Sequence, residues 1–290
     1  MRIIYQGDLH LRSTVPVNRI DAYGEAQFNK LRQLVGFAND RDATLMLGGD
    51  IFDTYKVAPE IVNKANEILM GSNYDIVAVV GQHDIPYHVV DLMKSPVQSL
   101  VDSGAIPTVG IGDSFLVDDD VLVHFCSWEQ EVSDPIPGKF NILLGHISVF
   151  KGAVPFYWKG EGYTPKTLKE KYPGFQLYLC GDIHEPVVED NVIVSGPMMR
   201  MSINHINYKP RCYLIDTDTM NITPLYYQIE EDVFNTPDEK IESTLNLDNL
   251  IDAMKSSAIG RESYERDCFA LAKDDKEIKI ILSGIFDELN

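Results

Sequence analysis

Leu47-Gly48-Gly49-Asp50-Ile51-Phe52-Asp53 closes the apolar run Ala43-Thr44-Leu45-Met46-Leu47 with two glycines and two spaced aspartates. The run reads as a strand buried in a sheet, and Asp50 as a residue delivered at the strand's carboxyl end. Paired glycines let the backbone turn sharply where something approaches closely. Alone, Asp50 is an ordinary turn residue. Four other strands end in the same manner, and that repetition decides how the chain reads.

Arg2 to Gln6 runs into Gly7-Asp8-Leu9-His10, and Asp75 to Val80 into Gly81-Gln82-His83-Asp84. Phe140 to Leu144 runs into Gly145-His146, and Gln176 to Cys180 into Gly181-Asp182-Ile183-His184. Between them, Ile20 to Asn39 repeats apolar residues at helical spacing through Tyr23, Phe28, Leu31, Leu34, Val35 and Ala38. Pro59 to Met70 predicts a second helix, with Pro in its first turn and Gly71 past its end. Pro96 to Ser103 predicts a third. Phe115 to Val117 and Val121 to Cys126 predict a hairpin across Asp118-Asp119-Asp120, and Gly152 to Pro165 a surface excursion. Val192 to Ser195 and Cys212 to Asp216 add strands. Strands alternating with helices, then strands in pairs, predict an α/β (α+β) chain: a two-sheet β-sandwich flanked by helices.

The 290 residues suit one large domain with an appendage. The expected division is 1–228 for the main domain and 229–290 for an acidic C-terminal appendage, a cap remnant or partner-docking segment. Helices are expected there over Leu245 to Ala258 and Glu277 to Leu289. From Glu230 onward the chain carries 16 acidic and 7 basic residues, −9 of its net −19. Such charge argues against a freestanding non-specific DNA binder, because phosphate attraction dominates that affinity. It does not exclude a nuclease whose metal ions, local basic patch or partner supply positive charge. No apolar run is long enough to span a membrane. The N-terminus reads as a first strand rather than a cleavable leader, since Asp8 and His10 follow it directly. Cys126, Cys180, Cys212 and Cys268 are far apart with no CxxC pair, which predicts reduced thiols in a cytoplasmic protein.

The strand ends together offer Asp8, His10, Asp50, Gln82, His83, His146, Asp182 and His184. Carboxylate oxygens and imidazole nitrogens suit Mn²⁺, Fe²⁺, Zn²⁺ or Mg²⁺. No cysteine joins them, which argues against a structural zinc site. Two neighbouring metals need a bridging carboxylate and several ligands on each side, and Asp50 stands on the middle strand.

Asp-x-His, Gly-Asp-x-x-Asp, Gly-Gln-His-Asp, Gly-His and Gly-Asp-x-His, in this order over about residues 1–215, resemble the signature motifs of the calcineurin-like metallophosphoesterases. Asp8-Leu9-His10-Leu11, Gly49-Asp50-Ile51-Phe52-Asp53 and Ser195-Gly196-Pro197-Met198-Met199-Arg200 further resemble SbcD, the nuclease subunit of a DNA repair complex, and its bacteriophage counterparts. The resemblance implies a four-layer fold and two divalent metals, manganese first, with magnesium or iron as alternatives. It implies that Asp8, His10 and His184 hold one metal, that Gln82, His146 and Asp182 hold the other, and that Asp50 bridges. It implies that His83 protonates the leaving oxygen or stabilises its charge, that Asp53 orients His83 and that Arg200 could touch a phosphate. The partners it implies are DNA and an SbcC-like ATPase subunit, with a possible homodimer.

The sequence departs from the family pattern twice. Gln82 stands where Asn is usual, with the same amide oxygen on a longer stem. Asp182 stands where His is usual, and a charged oxygen ligand favours Mn²⁺ or Mg²⁺ over Zn²⁺. Both changes touch the same expected metal. The leading expectation is a two-metal phosphodiester hydrolase, a DNA exo- or endonuclease subunit of an SbcCD-like complex. The alternatives are a metallophosphoesterase for small phosphodiesters or phosphoproteins, and a non-catalytic binding subunit.

Overall fold

The period-two alternation of side chains along each strand sets the layering. The structure, a computed structural model, describes residues 1–156, 158–231 and 233–235. In chain order the first half holds β1 (Arg2–Gln6), α1 (Tyr23–Asn39), β2 (Thr44–Leu47), α2 (Pro59–Leu69), β3 (Ile76–Ala78), α3 (Val97–Asp102), β4 (Thr108–Val109), β5 (Ser114–Asp118) and β6 (Val121–Cys126). The second holds β7 (Phe140–Gly145), α4 (Pro165–Lys171), β8 (Leu177–Cys180), β9 (Val187–Glu189), β10 (Val192–Val194), β11 (Arg211–Asp216) and β12 (Asn221–Tyr226).

One sheet runs β12-β11-β1-β2-β3-β4 and the other β5-β6-β7-β8-β10-β9. In the first, β1 to β4 run parallel to one another, and β11 and β12 are antiparallel additions. In the second, β6, β7, β8 and β10 are parallel, while β5 and β9 close the edges antiparallel. Ile3, Tyr5, Met46 and Val77 face the second sheet's Val123, Phe125, Ile142, Leu144 and Leu179 in one buried core. Their chain neighbours Ile4, Leu45, Leu47 and Ala78 point the other way, into a core shared with Leu31, Leu34 and Val35 of α1 and Ile61 and Ala65 of α2. On the outer face of the second sheet, Leu143, Tyr178 and Val192 pack with Leu168 of α4. The order helix, sheet, sheet, helix is the expected four-layer sandwich.

α1 starts at Tyr23 rather than Ile20, whose side chain is 66% exposed and whose amide donates to Val233 O at 3.0 Å. α4 follows the surface excursion and is set by local chemistry. Thr164 caps it in reciprocal bonds with Thr167, and Pro165 opens its first turn. The turns before α3 form short 3₁₀ pieces over Pro86–His88 and Leu92–Lys94 rather than plain loop. Cys126, Cys180 and Cys212 are buried free thiols; Cys268 lies outside the described residues.

Residues 229–231 and 233–235 pack on this body. Lys30 Nζ lies 2.8 Å from the Glu230 carboxylate, Val233 and Phe234 are buried, and Asn235 N donates to Asn18 O at 2.9 Å. The helices expected over 245–258 and 277–289, and the rest of the acidic appendage, lie outside the described residues. Among the described residues no helix is long and apolar enough to cross a membrane.

Candidate metal and active site

Five strands from the parallel parts of the sheets, β1, β2 and β3 in one and β7 and β8 in the other, end at one rim of the sandwich. The loops beyond them bond to one another. Asp8 N donates to Gly49 O at 3.1 Å, His10 N to Asp50 O at 2.9 Å and Leu11 N to Ile51 O at 3.0 Å. Asp182 N donates to Asp8 Oδ1 at 3.0 Å, joining the two sheets. Asp8, His10, Asp50 and Asp182 hold positive φ of 54°, 47°, 49° and 92°. That region is disfavoured for any residue with a Cβ, and such strain concentrates at functional sites. Gly49 sits at φ +91°, and a Cβ there would meet His146 Nδ1; a Cβ on Gly81 would collide with Asp50 Oδ1.

Asp8, His10 and His184 present ligand atoms within 4.8 Å of one another, as do Asp8, Asp50 and His146, and His10, Asp50 and His83. His10 Nε2 and His184 Nε2 stand 3.1 Å apart. His146 Nδ1 donates to Gly48 O at 2.7 Å, which leaves Nε2 as the bare nitrogen, 3.4 Å from Asp50 Oδ2. Gln82 Nε2 donates to Asp182 Oδ1 at 2.8 Å, and Ser148 Oγ donates to Asp182 Oδ2.

The residues fit divalent cations. Asp8 Oδ2, Gln82 Oε1 and His146 Nε2 are buried atoms without a hydrogen-bond partner, all three lone-pair donors on expected ligands. Unpaired buried acceptors are costly unless a cation or water meets them. Burial alone would lower the affinity of His146 for a proton, but Asp50, Asp182 and Asp8 outweigh it and push its pKa up to about 10. A field that holds a proton so firmly also attracts a metal ion. Burial raises Asp8 to about 7 despite His146 and His10. At Asp50, burial is overcome by His146, His10 and His83, which hold the carboxylate below its usual range.

A profile of the calcineurin-like phosphoesterases matches residues 1–186. The chain belongs to that family. This calcineurin-like phosphoesterase is therefore a metal-dependent phosphoester hydrolase, and the cluster at the strand ends is where its divalent metals fit. A solved structure described as that of a novel archaeal phosphodiesterase is similar at 16% identity, covering 78% of this chain and 100% of its own, with a TM-score of 0.43. Comparison with curated proteins gave no match.

Two expected roles fall elsewhere in this phosphoesterase. Asp53 meets His83 through its backbone: His83 Nδ1 lies 2.9 Å from Asp53 O. The Asp53 carboxylate faces His10 Nδ1 at 3.4 Å and Arg12 Nη1 at 3.4 Å. Arg200 is 7% exposed, and its guanidinium donates to Ile206 O at 3.3 Å and to Glu230 O, over the Phe234 ring. Those bonds commit Arg200 to holding the chain near residue 230, so the geometry does not support a phosphate contact.

Asp84 was not singled out by its position in the sequence. Its buried carboxylate accepts from Phe52 N at 2.8 Å, Gly81 N at 3.0 Å and Ile51 N at 3.2 Å. It thus ties the loop carrying Asp50 to the loop carrying Gln82 and His83. Burial and the nearby Asp50 raise its pKa to about 7, against those three amides. The sequence signal was a second acid directly after His83. Arg12 is the other addition: fully buried Gln27 accepts from its amide at 3.1 Å and donates to its carbonyl at 2.8 Å. That clamp fixes the backbone beneath a cation beside Asp53.

Proposed function

We propose that this phosphoesterase cleaves phosphodiester bonds of DNA as an SbcD-like nuclease subunit, with Mn²⁺ as its preferred metal. The observation that carries the metal-dependent hydrolase reading is the set of unpaired lone-pair atoms on Asp8, Gln82 and His146 around Asp50. The DNA reading rests on the narrower motif resemblance. Asp8, His10 and His184 would hold one cation, Gln82, His146 and Asp182 the other, with Asp50 shared. Cations held there would supply an activated water and neutralise phosphate charge.

The chain's own groups account for the remaining needs. His83 is the one expected site residue at the mouth, its side chain 43% exposed while Asp50 is buried. Asp53 O accepts from Nδ1, which turns Nε2 inward to 3.9 Å from Asp50 Oδ2. From there Nε2 delivers a proton to the leaving oxygen. The Asp53 carboxylate orients His10 for its metal, as a carboxylate behind a histidine ligand does. Ser148 and Gln82 hold Asp182 in place. An SbcC-like ATPase and a second copy of the chain are the partners this reading entails.

Purified protein with Mn²⁺, offered linear duplex DNA, single-stranded DNA and bis-p-nitrophenyl phosphate, should cleave all three. Cleavage of the small diester without DNA would replace this reading with the second one. A net charge of −19 favours that alternative, small phosphodiesters, over a long polyanion.

A further inference from the structure

A protein of net charge −19 that acts on nucleotides gains little from phosphate attraction away from its metals. Stacking on aromatic rings is a grip that does not depend on charge. Two tyrosines stand on the loops that carry Asp53 and His83. Tyr55 lies two residues beyond Asp53 and Tyr87 four beyond His83, and the bond from His83 Nδ1 to Asp53 O joins those two loops. Their ring centroids are 6.2 Å apart, inclined at 47°. Lys56 Nζ stands 5.3 Å from the Tyr55 ring centre.

Tyr87 is 83% exposed and holds φ at 55°. A bulky residue in that region is a backbone outlier, and surface packing gives Tyr87 little in return. Its ring meets solvent four residues beyond the half-exposed His83.

We propose that Tyr55 and Tyr87 form a stacking subsite for the base of a nucleotide whose phosphate lies at the metal cluster. The proposal rests on the phosphodiesterase reading above and narrows its substrates to nucleotide esters. The nucleoside esterified to that phosphate stacks on Tyr87, with Tyr55 and Lys56 flanking it. The subsite is indifferent to base identity, because every base has a π face.

Calorimetry on the full chain with Mn²⁺ tests this with two ligands, thymidine 5′-monophosphate and 2-deoxyribose 5-phosphate. The base should tighten binding about tenfold, the scale of one base-aromatic stack. Tyr87→Ala and Tyr55→Ala should each reduce that advantage, and Tyr87→Phe should keep it. Unchanged binding of 2-deoxyribose 5-phosphate shows that the variants are folded with an intact phosphate site. Equal affinity of the wild type for both ligands overturns the subsite, as does an advantage that survives both alanine variants. Binding of neither ligand removes the subsite and the phosphodiesterase reading together. A tenfold advantage in a protein that leaves DNA uncut overturns only the DNA reading.

Discussion

The imidazole of His83 is held by the backbone carbonyl of Asp53, 2.9 Å from Nδ1, while the Asp53 carboxylate turns to His10. Backbone and side chain of one residue thus serve two histidines. A carbonyl survives any substitution at position 53, so the two duties separate experimentally.

Asp53→Asn should leave His83 oriented and weaken the support of His10. The Mn²⁺ concentration for half-maximal hydrolysis of bis-p-nitrophenyl phosphate should rise about 10- to 100-fold. The rate at saturating Mn²⁺ should stay near that of the wild type. A large fall in saturated rate with unchanged metal demand would return the carboxylate to His83.

His83→Ala should lower kcat by about 10²- to 10⁴-fold while metal binding persists. Calorimetry and hydrolysis on the same preparation give both readouts. Loss of metal together with activity would make His83 a ligand, consistent with its place near His10 and Asp50.

Gln82 and Asp182 are bonded to each other at 2.8 Å and stand where the family usually has Asn and His. The expected consequence is one tight and one weaker Mn²⁺ site. Asp182→His should shift the weaker site toward Zn²⁺, since imidazole suits zinc and carboxylate suits manganese. Two equally tight Mn²⁺ sites in the wild type by calorimetric titration would end this account of the substitutions.

Asp84→Ala strips the partner from the amides of Ile51, Phe52 and Gly81. Unfolding in urea should show a loss of about 2–5 kcal/mol, because buried donors left unpaired bear their full desolvation cost. Asp84→Asn keeps one acceptor oxygen and should lose less. Equal stability of all three proteins would mean the loop is held by other contacts.

Arg200→Ala should destabilise the fold by about 1–3 kcal/mol, through the freed carbonyls of Ile206 and Glu230, with KM unchanged. A raised KM at unchanged stability would restore the phosphate contact.

The sandwich was legible because apolar runs of buried strands are long and contrast sharply with the Gly-Asp and Gly-His turns after them. The gathering of Asp8, His10, Asp50, His146 and His184 was legible for the same reason: each stands just after such a run. The use of Asp53 was not, since which atom meets His83 depends on how two distant loops pair. Arg200 looked like a phosphate ligand by its place after the last ligand strand. Its burial came from Glu230 and Phe234, thirty or more residues on, which no local pattern reveals. β4 and β9 have two and three residues, too few to show a period. β12 carries Pro224, which weakens a strand signal and is tolerated on an edge strand.

The central claim is a pair of divalent cations sharing the Asp50 carboxylate. Anomalous scattering from crystals grown with Mn²⁺ tests it most directly. The account predicts two peaks flanking Asp50, one against Asp8, His10 and His184 and one against Gln82, His146 and Asp182. A single peak, or peaks away from Asp50, would contradict it.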